Sequence, residues 1–187
     1  NMDRVLALAD WNGIARRRAD ARARGKLLGV GYASYVESSI GTPRERVDLI
    51  VTRDGIRVVI GTQPAGQGHE TSFAQVTADL LGVPFDSVSI ILGDTDVVTA
   101  GGGTHSGRSM RHASTVIALA SDDLIEKGKR LAAHCLETDA DSIEFEDGVF
   151  RAANTNRSLT WFELATRAED VALPDALKGG LWTRRDN

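Results

Sequence analysis

The stretch RVDLIVTRDGIRVVIGTQ, residues 46–63, carries the plainest structural signal in the chain. Val47, Leu49 and Val51 fall on alternate positions, Asp54-Gly55 is a favoured turn pair, and Ile56, Val58 and Ile60 resume the alternation. Period-two patterning on both sides of such a pair predicts a β-hairpin with one face buried. A glycine-rich passage, GTQPAGQGHET (residues 61–71), follows at once. HETSFAQVTADLLG (residues 69–82) then predicts a helix with Phe73, Val76 and Leu80 on one face, Gly82 as its stop and Pro84 beyond.

Further along, DSVSIILGDTD (residues 86–96) reads as a strand and TAGGGTHSGRSM (residues 99–110) as a second glycine-rich loop. From Ser109 to Leu136, Met110, Ala113, Val116, Ile117, Ala120 and Leu124 trace a long helix, with Gly128 a candidate break. SIEFEDGVFRA (residues 142–152) predicts a second Asp-Gly hairpin. A short helix should start near Thr160, with Glu163 completing a capping box, before a tail that reads as loop. Upstream, a helix is expected from Asp3 to about Arg24. A strand should follow in KLLGVGYASYVES (residues 26–38), where Leu28, Val30, Tyr32 and Val36 share a side. Strands joined by tight turns exclude a purely parallel sheet. The expected fold is therefore α+β, a two-layer β-β-α-β-α unit with a mixed sheet, plus a C-terminal β-hairpin.

Length and charge narrow the function. The 187 residues carry 22 Lys+Arg against 26 Asp+Glu, net charge −4. That balance argues against nucleic acid as a partner, since phosphates call for a basic face. The arginines of residues 15–25 read as a solvated helix face. The single Cys135, in a half-apolar helical setting, allows no internal disulfide and no all-cysteine iron–sulfur or zinc site. No run approaches the roughly 18 apolar residues of a membrane span, and no secretory signal is visible, so a cytoplasmic protein is expected. Asn1-Met2 at one end and WTRRDN at the other read as cuts within a longer chain.

The two glycine-rich loops hold the chemistry. Each leads into a helix, where unsatisfied N–H groups form an anion site that glycine leaves open. Gln67 adds an amide; Thr104, Ser106 and Ser109 add hydroxyls; Arg108 can pair a phosphate or carboxylate through two bonds. GQGHET lacks the lysine of a P-loop and the third glycine of a dinucleotide fingerprint. His69, His105 and His112 have no metal-ligand spacing, and Asp94 and Asp96 read as turn formers before magnesium ligands. No nucleophile–base pair is present. On the residues alone, the loops bind a phosphorylated small molecule or are plain turns.

GTQPAGQGHETSFAQVTADLLGVP, then a strand ending in GDTD, then GGGTHSGRSM, closely resembles the molybdenum-cofactor-binding large subunit of the xanthine dehydrogenase/aldehyde oxidase family. The GQGHET loop and Arg108 resemble its aerobic carbon monoxide dehydrogenase-type branch, and the flanking segments extend the resemblance over nearly the whole chain. It implies a lead-in helix and strand over residues 1–40 and a molybdenum-cofactor-binding domain over residues 41–187. The implied cofactor is molybdenum-molybdopterin, often the cytosine dinucleotide form in bacteria. The implied enzyme is an oxidoreductase that hydroxylates a small substrate with oxygen from water, or oxidises CO. Iron-sulfur clusters and FAD are implied on an iron-sulfur small subunit and a flavin medium subunit, in a homo-oligomer of such heteromers. The resemblance assigns Gly66, Gln67, Gly68 and His69 of the first loop, and Thr104, Ser106, Gly107, Arg108 and Ser109 of the second, to cofactor binding. It assigns no catalytic residue and no metal ligand to this chain. The family's catalytic glutamate lies in a segment with no counterpart here, so these residues by themselves are expected to be inactive.

Overall fold

A computed structural model describes residues 1–36 and 44–187. The chain forms two compact units, Asn1–Glu37 and Ser38–Asn187. The boundary expected between residues 40 and 41 lies outside the described residues.

In the first unit the expected single helix is two: α1 (Met2–Leu8) and α2 (Ile14–Ala23), separated by a 3-10 turn at Trp11–Gly13. Asp10 adopts a left-handed conformation (φ 46°), and the Arg17 guanidinium donates to the Ala9 carbonyl at 2.5 Å where α1 ends. Apolar periodicity is blind to one such residue, since short polar side chains tolerate this region. The strand expected from Lys26 is also absent: residues 26–36 have no regular structure, and residues 37–38 lie outside the described residues. Leu27, Tyr32, Tyr35 and Val36 are exposed. Alternation alone makes no strand when no described neighbour supplies the ladder hydrogen bonds.

The second unit is built on the hairpin of β1 (Arg46–Thr52) and β2 (Gly55–Ile60). Val47, Leu49 and Val51 are buried, as the alternation requires. Thr52 pairs with Gly55, so the turn residues are Arg53-Asp54, one position earlier than the Asp-Gly pair suggests. From β2 the chain passes through α3 (His69–Leu81) to β3 (Val88–Ile91), which pairs parallel to β2. A parallel pair cannot be closed by a tight turn, so α3 is the crossover the topology needs. Its buried side is His69, Phe73, Ala74, Thr77, Ala78 and Leu81. The expected stripe is displaced: Val76 is half-buried and Leu80 exposed.

Helix α4 (Arg108–Cys135) runs for 28 residues without a break at Gly128. Ala113, Val116, Ile117, Ala120 and Leu124 face the core as expected, whereas Met110 is exposed. Strands β4 (Ile143–Glu146) and β5 (Val149–Ala152) form the second hairpin, around Asp147-Gly148, both with positive φ. A third strand, β6 (Ser158–Thr160), extends it to a three-stranded sheet. Helix α5 (Trp161–Asp170) opens with the complete Thr160–Glu163 capping box. Phe145, Phe150 and Trp161 cluster here, and the Trp161 indole N–H donates to the Leu81 carbonyl at 2.9 Å.

The tail is loop over residues 171–181, apart from a 3-10 turn at Asp175–Leu177, but ends in β7 (Trp182–Asp186), antiparallel to β1, which gives the mixed order β3-β2-β1-β7. Charge pairs hold this edge: Arg184 bonds both oxygens of Asp48 at 2.7 Å, and Arg46 reaches Asp186 at 2.6 Å. Cross-strand ion pairs stabilise a strand without apolar alternation, which is why WTRRD does not read as one.

Candidate functional site

Two backbone features bring the glycine-rich loops together. Gly61 lies directly on Gly101, and a Cβ on either would collide with the other's backbone. Glycine at both positions lets the exit of β2 touch the start of the second loop. Each loop then enters its helix through a left-handed glycine, Gly68 (φ 73°) before α3 and Gly107 (φ 65°) before α4. No side chain caps either helix. The Arg108 N–H donates to the His105 carbonyl at 3.0 Å and the Thr71 N–H to the Gly68 carbonyl at 3.1 Å, and both helix dipoles favour an anion in the space in front.

That space is a cleft of about 320 Å³ lined by Gln67 and His69 from the first loop and Thr104, His105, Ser106, Gly107, Ser109 and Met110 from the second. Gln67 turns its amide oxygen onto the Ala65 N–H at 2.5 Å, so the group it offers a ligand is its NH2. His69 is buried, stacks on Phe73 at 4.8 Å and hydrogen-bonds the Thr62 carbonyl through Nδ1 at 3.2 Å. A carbonyl only accepts, so Nδ1 carries the proton and Nε2 is the acceptor of the neutral ring. The Thr104 hydroxyl oxygen is buried with no hydrogen-bond partner among the described residues. A buried unpaired hydroxyl costs about 1–3 kcal/mol, and of the described hydroxyls in that state, those of Thr77, Thr104 and Ser121, Thr104's is the one on the cleft. Ser106 (φ 50°) holds a second left-handed turn beside it.

Gly66 and Gly68 shape the loop backbone without lining the cleft, and neither does Arg108. Its guanidinium is wholly buried: Nη1 donates to Glu45 Oε2 at 2.9 Å and to the Gly103 carbonyl at 2.6 Å, and Nη2 to the Arg44 carbonyl at 2.9 Å. The arginine braces the loop from behind. His105 and Met110 line the cleft unforeseen, and Glu45 beneath it carries no signal in the sequence, standing as one charge among Arg44 and Arg46. Asp94 accepts the Asp96 N–H at 3.0 Å, a turn. Among the described residues no group of three or more His, Cys, Asp or Glu is placed to hold a metal, and no helix is long and apolar enough to cross a membrane.

Residues 4–181 match the molybdopterin cofactor-binding domain family. The chain belongs to that family. This molybdopterin cofactor-binding domain is 30% identical over 196 residues to the nicotine 6-hydroxylase large subunit of Paenarthrobacter nicotinovorans, covering 96% of the chain and 24% of that protein. It is 31% identical over 180 residues to the carbon monoxide dehydrogenase large chain of Hydrogenophaga pseudoflava, covering 89% of the chain and 22% of the relative. The domain thus spans about a quarter of the length of the curated relatives it matches. The fold is shared with a Cu,Mo-CO dehydrogenase structure, at TM-score 0.72 and 24% identity over all of this chain and 26% of that one. It is shared too with quinoline 2-oxidoreductase from Pseudomonas putida 86, at TM-score 0.66 and 27% identity over 98% of this chain and 25% of that one.

Proposed function

We propose that the cleft between the two loops is this chain's share of a molybdopterin site in a molybdenum-dependent oxidoreductase. The observation that carries the reading is the buried, unpartnered Thr104 hydroxyl in a cleft faced by two helix N-termini that no side chain caps. That donor set fits a pyranopterin bearing phosphate: helix N–H groups for phosphate oxygens, the Gln67 NH2 and the hydroxyls of Thr104, Ser106 and Ser109 for the polar edge. His69 Nε2 supplies one acceptor among these donors, suited to a ring N–H. When bound, the group supplies two-electron redox chemistry at molybdenum. These residues hold and orient it and keep water from that wall.

The whole enzyme, on this proposal, oxidises a small substrate by hydroxylation with water or oxidises CO. Electrons pass to iron-sulfur clusters and FAD on a small and a medium subunit, in a cytoplasmic homo-oligomer of heteromers. The cytosine dinucleotide form suits the anion-seeking helix ends, since it adds a second phosphate.

Gln67→Ala and Thr104→Val in the full-length protein test the site. Molybdenum by mass spectrometry and pterin by fluorescence after oxidation should both fall about tenfold or more in the double variant. Acid release of cytidine monophosphate from the parent would identify the dinucleotide form. Occupancy equal to the parent's would overturn the assignment, and retention of a nucleotide without pterin would point to a phosphate-binding module of another kind.

A further inference from the structure

Glu45 precedes β1, has a completely buried side chain and accepts bonds from both glycine-rich loops. Its Oε2 takes the Thr62 hydroxyl at 2.5 Å, the Arg108 guanidinium at 2.9 Å and the Gly102 N–H at 3.3 Å, while Oε1 takes the Arg46 N–H at 3.2 Å. Thr62 belongs to the exit of β2, and its carbonyl is the acceptor that orients His69. Gly102 and Arg108 belong to the loop before α4, where the guanidinium lies against the Cα of Gly102 and holds the Gly103 carbonyl.

We propose that Glu45 is a positioning residue: one buried carboxylate ties the two cofactor loops together and sets the width of the cleft. The proposal rests on the reading of that cleft as a molybdopterin site. The physical case is the direction of the donors. Three of them, from two separate loops, converge on one oxygen, and a buried anion cannot give any of them up to water. A glutamine in its place must turn an NH2 either toward these three donors or toward the Arg46 N–H, a conflict in both orientations. It also leaves Arg108 without its counter-charge. Thr62→Val is a gentler cut, since it removes the branch to the first loop and leaves the carboxylate with Arg108 and Gly102.

The experiment is hydrogen exchange by mass spectrometry on full-length protein, with Glu45→Gln, Thr62→Val and Gln67→Ala each compared with the parent, alongside pterin content per folded chain. Glu45→Gln should speed exchange about tenfold in residues 61–69 and in residues 101–108 while β1 and β2 keep parental protection, and should lower pterin content. Thr62→Val should speed exchange in residues 61–69 and leave residues 101–108 as in the parent. Parental exchange in both loops of folded Glu45→Gln would overturn the proposal. If Glu45→Gln yields no folded protein, Thr62→Val decides: exchange raised in the first loop alone supports the tie, and no change in that loop refutes it. Gln67→Ala separates the two readings. Pterin retained in that variant would sink the site assignment, whereas pterin lost there but kept in Glu45→Gln would sink only the positioning role.

Discussion

Gly128 sits inside α4 with the rings of Phe150 and Trp161 pressed against its Cα. In an isolated helix, alanine is better than glycine by about 0.8–1.0 kcal/mol, so helix propensity makes Gly128→Ala stabilising. Packing opposes it. A Cβ at this position would stand within contact distance of the Phe150 ring edge and 3.1 Å from Trp161 Cζ3. Both rings are fully buried and cross edge to face at 4.6 Å, and the indole is pinned by its bond to the Leu81 carbonyl. Neither can retreat without repacking the cluster, and overpacking of this kind costs about 1–3 kcal/mol. Because both possible escape routes are blocked, the upper part of that range applies. The net effect is a loss of about 1–2 kcal/mol against the propensity gain. With a urea slope of about 2 kcal/mol/M, the unfolding midpoint should fall by about 0.5–1 M, read by tryptophan fluorescence and far-UV circular dichroism together. Phe150→Leu removes the nearer obstacle, so the double variant should lose less than the sum of the single changes. A midpoint for Gly128→Ala equal to or above the parent's would refute the packing argument.

Two further outcomes follow from single contacts. The Glu163 carboxyl is held below its ordinary value first by the Thr160 backbone N–H and then by the Thr160 hydroxyl. Its folded-state value is depressed, so the stabilisation is present above about pH 4.3 and fades as pH falls through the lower folded value. Thr160→Ala should therefore cost about 1 kcal/mol at pH 7 and less at pH 3, and a pH-independent cost would contradict the capping box. Burial pushes the Cys135 thiol upward, with the Arg167 charge pulling the other way. Disulfide exchange with a chromogenic reagent at pH 8 should run about tenfold slower in the folded chain than in urea, and equal rates would show the thiol to be open.

The elements that could be read from the residues are those whose cause is local. Val47, Leu49 and Val51 fix one face of β1 by period alone; Asp147-Gly148 adopts the two positive φ values a tight hairpin needs; Thr160 and Glu163 cap each other across three residues. The readings that failed depend on partners remote in sequence. Residues 26–36 alternate as a strand should but find no described ladder, while Trp182–Asp186 lacks the pattern yet becomes β7 through Asp48 and Arg46. At the site, both loops and most of their lining were legible, because glycine before a helix and nearby hydroxyls are short-range features. Arg108 was legible as an anion partner but not as partner to an anion inside the protein itself.

By itself the sequence determined the α+β order, the two helix-entering loops and the family they resemble, since each is written in neighbouring residues. Tertiary structure decided that Gly61 meets Gly101, that the loops share one cleft, and that Glu45 binds Arg108 across 63 positions. A charge declares its type in the sequence. Whether it faces water, a ligand or a buried counter-charge depends on which distant backbone folds over it, and desolvation then selects the partner.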